Sequence, residues 1–254
     1  MVTFNAIATH STLIDENEFF AQYYDPDALF RYDSNFFQLK YSPTKEEFEL
    51  IESMQIVFSK GNGLSHVKFY WPENQGIMPD TLDYLNGEEY GLEKLELYSL
   101  DPAHYVFKAE VPDINVSVVQ ADQLDAFKQL NYIEDKTVSD SFAESKQPYY
   151  DRLFKDEAVT FLLAYFQGEP AGSCIMIDSD EGLELDDLFT LEKHRLKGIA
   201  SALQSFIIKE ALARQTLVFL VADAEDSPKD MYKKAGFHYE GFRIGAQKVI
   251  KGEG

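Results

Sequence analysis

Three cations, Lys193, Arg195 and Lys197, crowd around Gly198 just ahead of an apolar pattern at Ile199, Leu203, Phe206 and Ile207 that has helical spacing. Glycine lets backbone approach a ligand closely, and the first amides of a helix have no internal acceptor. Such amides point outward at the positive end of the helix dipole, so they hold phosphate oxygens without a dedicated side chain. The chain as a whole carries 23 Lys and Arg against 44 Asp and Glu, a formal net charge of −21, and only Glu192 opposes the three cations locally. A cationic island in so acidic a chain points to an anionic ligand, a diphosphate by the shape of the turn. From spacing alone, an ordinary strand-loop-helix junction with solvated lysines is the plain alternative.

The residues before the turn must position it. Leu183, Leu185 and Leu188 alternate with acidic neighbours as in a strand, and the alternation slips once where Asp186 and Asp187 stand side by side. A single slip predicts a β-bulge, which leaves one backbone group outside the ladder. Downstream, Leu217 to Val221 form a continuous apolar run that reads as a buried strand. Pro228 suits the first turn of a helix bearing Met231 and Tyr232, Gly236 ends that helix, and a last strand passes through Phe242.

At these residues the chain resembles the GNAT superfamily of acyl-CoA-dependent N-acetyltransferases. Its signature, Arg/Gln-x-x-Gly-x-Gly/Ala after a central strand, is matched by Arg195-Leu196-Lys197-Gly198-Ile199-Ala200. Asp186-Asp187-Leu188-Phe189-Thr190 before it and Tyr232-Lys233-Lys234-Ala235-Gly236-Phe237 after it fit the same pattern, the latter the Tyr-x-x-x-Gly-Phe element. The resemblance implies a fold in which a mixed central sheet is flanked by helices, with acetyl-CoA as acyl donor and direct attack of an amine on the thioester. It places Leu188, Phe189 and Thr190 beside the acyl and pantetheine arm, and Arg195, Leu196, Lys197, Gly198, Ile199 and Ala200 around the pyrophosphate. Tyr232 corresponds to the general acid toward the coenzyme sulfur, or else packs beside the cofactor without a proton role. Asp186 and Glu184 would face the acceptor cleft as general-base candidates, or be solvated or capping groups, and local alternation turns Asp187 the other way. Where many members place an asparagine about seven residues before the tyrosine, this chain has Glu225, followed by Asp226, Ser227 and Pro228.

The remainder of the chain supports two domains. From residue 111 to 254 the order is complete: a strand at Ile114 to Val119, helices through Phe127 and Leu130 and from Phe142 to Phe154, and a hairpin from Val159 to Ile177 turning at Gly168. The glycine turn follows. Residues 1–110 give a weaker echo. Asn35 to Tyr41 read as a strand, and Thr44 with Glu47 makes a capping box before a helix bearing Phe48, Ile51, Met54 and Val57. A strand at His66 to Trp71, a helix from Pro79 and a strand from Lys94 complete it. The counterpart of the glycine turn, Tyr41 to Phe48, has no glycine and sets two carboxylates where phosphate would sit. A partial, cofactor-free GNAT-like half is expected, coincidental α/β alternation being the alternative.

The composition, 45% hydrophobic and 14% aromatic, is that of a folded globular protein. No apolar run reaches 18 residues and the N-terminus lacks a secretory pattern, so a soluble cytoplasmic protein without a membrane partner is expected. The single cysteine, Cys174, excludes an intramolecular disulfide, and five scattered histidines show no metal-ligand spacing. A sequence pI near 4.5 argues against nucleic acid and favours a cationic acceptor. The expected function is acetyl transfer from acetyl-CoA to a primary amine of a small molecule or protein. A non-catalytic acyl-CoA-binding or protein-interaction module is the alternative, and a homodimer is compatible with either.

Overall fold

The computed structural model describes residues 2–107, 109–225 and 229–250. Strands and helices alternate as β1 (Thr12–Glu16), β2 (Phe20–Tyr24), β3 (Phe36–Leu39), α1 (Lys45–Gly61), β4 (His66–Tyr70), α2 (Pro79–Gly87), β5 (Gly91–Leu100) and β6 (Ile114–Val118). They continue as α3 (Leu124–Val138), α4 (Asp140–Leu153), β7 (Val159–Phe166), β8 (Glu169–Ser179), β9 (Gly182–Thr190), α5 (Ile199–Arg214), β10 (Leu217–Asp223), α6 (Lys229–Lys234) and β11 (His238–Val249).

The chain forms two compact units. One comprises residues Met1–Ala8, Tyr98–Val221 and Pro228–Tyr239, the other Thr9–Leu97, Ala222–Ser227 and Glu240–Gly254. The expected division into 1–110 and 111–254 differs from this grouping. Most of β11 pairs antiparallel with β4, Gly245 opposite Tyr70 and Lys248 opposite Val67, so the last strand of the chain completes the unit built mainly by the N-terminal half. Backbone groups of a strand are satisfied by whichever edge is open, and nothing in a strand's own sequence names that edge.

In the unit that carries the glycine turn the strand order is β10-β9-β8-β7-β6. Every neighbouring pair is antiparallel except β9 and β10, which are parallel and joined by α5. Phe127 of α3 stacks on Phe161 of β7 at 4.2 Å, and Tyr150 of α4 meets the same ring edge-on at 6.0 Å. The other unit repeats the pattern. Its order is β1-β2-β3-β4-β11-β5, with β3 and β4 parallel and joined by α1. The echo seen in the sequence is therefore a topological repeat: β3-α1-β4 matches β9-α5-β10. Its core gathers Phe48 and Ile51 of α1 against Val67, Phe69 and Trp71.

The capping box is formed as expected: Glu47 N–H donates to Thr44 Oγ1 and Thr44 N–H to the Glu47 carboxylate. Of the apolar residues on this helix, Phe48 and Ile51 are buried and Met54 and Val57 are exposed. The inward face of α1 also carries Glu52 and Gln55. Glu52 accepts from Tyr84 and Tyr90 hydroxyls, and the Gln55 amide donates to the carbonyl of Lys68. Partnered polar groups can be buried, so the helix turns through a different angle from the one its apolar residues alone suggest.

Candidate functional site

The slipped alternation on β9 is a bulge. Ser173 of β8 faces Phe189 and Ile175 faces Asp186, so Asp187 and Leu188 together stand opposite Cys174. Asp187 adopts φ of 50°, an uncommon conformation for a residue with a side chain. Beyond the bulge, Leu188 and Thr190 are half-buried and Phe189 is buried.

The turn that follows has the shape an anion requires. Leu196 takes φ of 62° and Gly198 φ of 97°, both left-handed, with extended Arg195 before them. The Leu196 side chain is entirely in solvent although apolar. Gly198 is the N-cap of α5 and supplies no side chain to the first amides of the helix, so these donors stay open. Its counterpart at α1 is closed by Thr44 and Glu47. The two helix starts therefore differ: the first amides of α5 meet no capping side chain, and those of α1 do.

Ile199, the first helical residue, is buried against β8 at Gly172. A Cβ there would lie 2.7 Å from Ile199 Cγ2 and 2.7 Å from the Phe189 carbonyl, so only glycine lets the helix start come this close to the strand. Gly172 carries no local signal of this role, because its reason lies in a residue 27 positions away. Ala200, next in the helix, is half-buried.

The cations divide. Lys193 pairs with Glu169 at 3.5 Å, and the Lys197 ammonium donates to His194 Nδ1 across 3.4 Å while lying 4.7 Å from the Phe166 ring centroid. Burial and the neighbouring ammonium groups of Lys197 and Lys193 lower the His194 pKa. Arg195 is exposed, and no ion pair engages it among the described residues.

Among the carboxylates of β9, Glu184 takes the capping alternative and Asp187 departs from the expectation. Glu184 is buried, and its Oε2 accepts from the Ala8 amide at 2.8 Å. Asp186 is half-buried opposite Ile175. Asp187, expected to point away from the acceptor side, instead joins the two helices of residues 124–153. Its Oδ2 accepts from Lys146 Nζ at 3.2 Å and Tyr150 OH at 3.3 Å. Asp135 of α3 takes the same donors at 2.8 and 3.1 Å. The left-handed backbone at the bulge reverses the side that alternation assigns. This four-residue cluster was not found from the sequence, since its members are spread over 52 positions and share no motif.

Tyr232 of α6 is buried, with ring centroids of Tyr98 at 6.2 Å and Phe237 at 5.8 Å. Glu225 N–H donates to Asp223 Oδ1 at 2.8 Å. Asp226, Ser227 and Pro228 lie outside the described residues, as do the side chains of residues 229–231.

Residues 126–237 match the model of the Acetyltransferase (GNAT) family, and residues 2–98 match that of a domain of unknown function, DUF5613. Among solved structures, a functionally unknown conserved protein from Staphylococcus epidermidis is 25% identical, with 98% of each chain covered and a TM-score of 0.89. A GCN5-related N-acetyltransferase from Kribbella flavida shares the fold at 13% identity, over 92% of this chain and 87% of its own, with a TM-score of 0.63. A tandem GNAT protein from the clavulanic acid biosynthesis pathway does so at 10% identity, over 81% and 70%, with a TM-score of 0.53. No curated protein matches the chain. The architecture is thus that of a mixed sheet flanked by helices, with a second GNAT-like half.

Proposed function

We propose that the chain, whose residues 126–237 match the model of the Acetyltransferase (GNAT) family, transfers an acetyl group from acetyl-CoA to a primary amine of a small molecule or protein. The observation that carries this reading is the uncapped start of α5 behind two left-handed residues, continuous with a strand whose bulge leaves a backbone group outside the ladder. The amides of residues 196–200 and the guanidinium of Arg195 hold the diphosphate of the donor. Leu188, Phe189 and Thr190 run beside its pantetheine arm.

The acceptor amine must lose a proton before it can attack, and a carboxylate of β9 receives it. Nitrogen then bonds to the thioester carbon while a bulge amide stabilises the developing oxyanion. As the C–S bond breaks, Tyr232 donates a proton to the thiolate. A phenol with an unperturbed pKa of about 10 is protonated where a thiol of about 8.5 begins to ionise, so the transfer is feasible at neutral pH. Glu184, buried and bound by the Ala8 amide, serves the strand's position rather than direct exchange with an acceptor. Asp186 keeps a half-exposed place on the same strand. The acidic surface favours a cationic acceptor and disfavours nucleic acid, and a cytoplasmic location is consistent with both.

The test is thiol release from acetyl-CoA in the presence of a panel of primary alkylamines and lysine-containing peptides. Tyr232→Phe is expected to lower kcat by about 10²-fold, within the range of a lost general acid, with acetyl-CoA affinity kept. Binding of acetyl-CoA without thiol release for any amine contradicts transfer and leaves a non-catalytic acyl-CoA-binding module.

A further inference from the structure

We infer that Asp187 is the carboxylate that receives the acceptor's ammonium and takes its proton, and that Lys146, Asp135 and Tyr150 hold it in place for that task. This assignment rests on the transferase reading above and names the group which that reading leaves unspecified.

Four observations lead to it. The first is position: Asp187 is itself one of the two bulged residues, so its side chain leaves the strand where the backbone group proposed for the oxyanion does. The second is direction. Its carboxylate turns toward α3 and α4, where Lys146 and Tyr150 hold it, on the face that Asp186 shares through its pairing with Ile175. The third is access. The Asp187 side chain is 36% exposed, whereas that of Asp135, bound to the same two donors, is 5% exposed. One carboxylate is thus open to a ligand and the other is sealed behind it. The fourth is the local chemistry. The Lys146 ammonium sits between both carboxylates, with the Tyr150 ring centroid at 5.0 Å and that of Phe142 at 5.6 Å. The protein therefore already stabilises an alkylammonium beside Asp187, by charge and by aromatic faces.

The cluster also keeps its own charges fixed. Burial acts against the Lys146 ammonium, but the Asp187 and Asp135 carboxylates outweigh it and raise the Lys146 pKa. Burial raises that of Asp135, against the pull of Lys146. Tyr150 is pushed up by burial and by both carboxylates, so its hydroxyl remains a donor. The remaining titratable neighbours are Cys174 across the bulge, whose thiol burial raises out of reach, and Asp186 on the same strand. Asp187 is the member with one oxygen, Oδ2, held by donors and solvent access besides. The proton balance is then complete. The acceptor's ammonium gives one proton to the Asp187 carboxylate and its nitrogen bonds to the acyl carbon; the C–S bond then breaks as Tyr232 protonates the departing thiolate, the second nitrogen proton restores the Tyr232 hydroxyl by way of solvent, and Asp187 releases its proton to solvent.

The experiment uses the full chain with Asp187→Asn, Asp187→Glu, Lys146→Met and Lys146→Arg. Acetyl-CoA affinity is measured by calorimetry and turnover by thiol release with the amine panel. Asp187→Asn is expected to lose 10²-fold or more in kcat/KM while binding acetyl-CoA as the wild type does, and Asp187→Glu to recover part of it. Lys146→Met takes away the donor that orients the Asp187 carboxylate, so kcat should fall while acetyl-CoA affinity is kept, and Lys146→Arg should recover part of it. Asp187→Asn turning over within threefold of wild type, with acetyl-CoA bound, overturns the assignment but not the transferase reading. Lys146→Met with kcat within threefold of wild type, or a loss that Lys146→Arg does not recover, overturns the positioning role. Wild type that fails to bind acetyl-CoA overturns both, and wild type that binds it yet accepts no amine overturns the role of Asp187.

Discussion

The imidazole of His66 is fully buried and stacked on Tyr32 at 3.7 Å. Burial lowers its pKa from 6.5 to about 4, with the nearby Lys68 ammonium acting in the same direction and Asn35 and Asp33 against. A folded-state pKa below the unfolded one means that the unfolded chain binds a proton that the folded chain refuses. Stability is therefore unaffected above pH 6.5 and falls as pH drops toward 4, by roughly 3 kcal/mol for 2.5 pH units. His66→Phe keeps an aromatic ring against Tyr32 and removes the titration. Denaturant unfolding from pH 7 to 4 should show the wild type losing about that much relative to the variant, and parallel curves would contradict it. At this scale the sequence is a partial guide. The left-handed glycine at the start of α5 was readable because turn chemistry is local. The side on which Asp187 lies was not, because one left-handed residue reverses a strand's alternation, and Asp135 and Lys146 meet it only through tertiary packing.

At the scale of elements, the start of α5 depends on its closeness to β8. Gly172→Ala would set a methyl 2.7 Å from the Phe189 carbonyl, a backbone atom that cannot swing aside. A loss of about 1–3 kcal/mol in thermal or denaturant unfolding is expected, as for overpacked cores, together with weaker acetyl-CoA binding because the helix start shifts. Unchanged stability would show that the strand and helix part without cost. Elements with strong local patterns were legible: the hairpin at Gln167 and Gly168, the bulge on β9, and the capping box of α1 all appear where the residues placed them. Others were not. β1 is exposed at every position, so no face of it carries an apolar alternation. On α1, Leu50, Met54 and Val57 lie at helical spacing yet face solvent, because Glu52 and Gln55 find partners inside.

At the scale of the whole molecule, one topology is used twice with opposite outcomes. Both units carry a strand, a helix and a parallel strand, but only the helix start at Gly198 is left without a capping side chain, whereas Thr44 and Glu47 occupy the other. The repeat was visible in the order of sequence patterns, and so was the chemical asymmetry between its halves. The placement of β11 with the N-terminal unit was not, because strand order depends on which edge is open rather than on local composition. No helix among the described residues is long and apolar enough to cross a membrane. The central claim is that the Gly198 turn binds the diphosphate of an acyl-CoA. Its most direct test is calorimetric titration of acetyl-CoA into the wild type and into an Arg195→Glu, Gly198→Asp double variant, with circular dichroism confirming that both are folded. Saturable binding by the wild type, lost in the variant, is the predicted result. No binding by folded wild type at millimolar acetyl-CoA, or equal binding by both proteins, would contradict it.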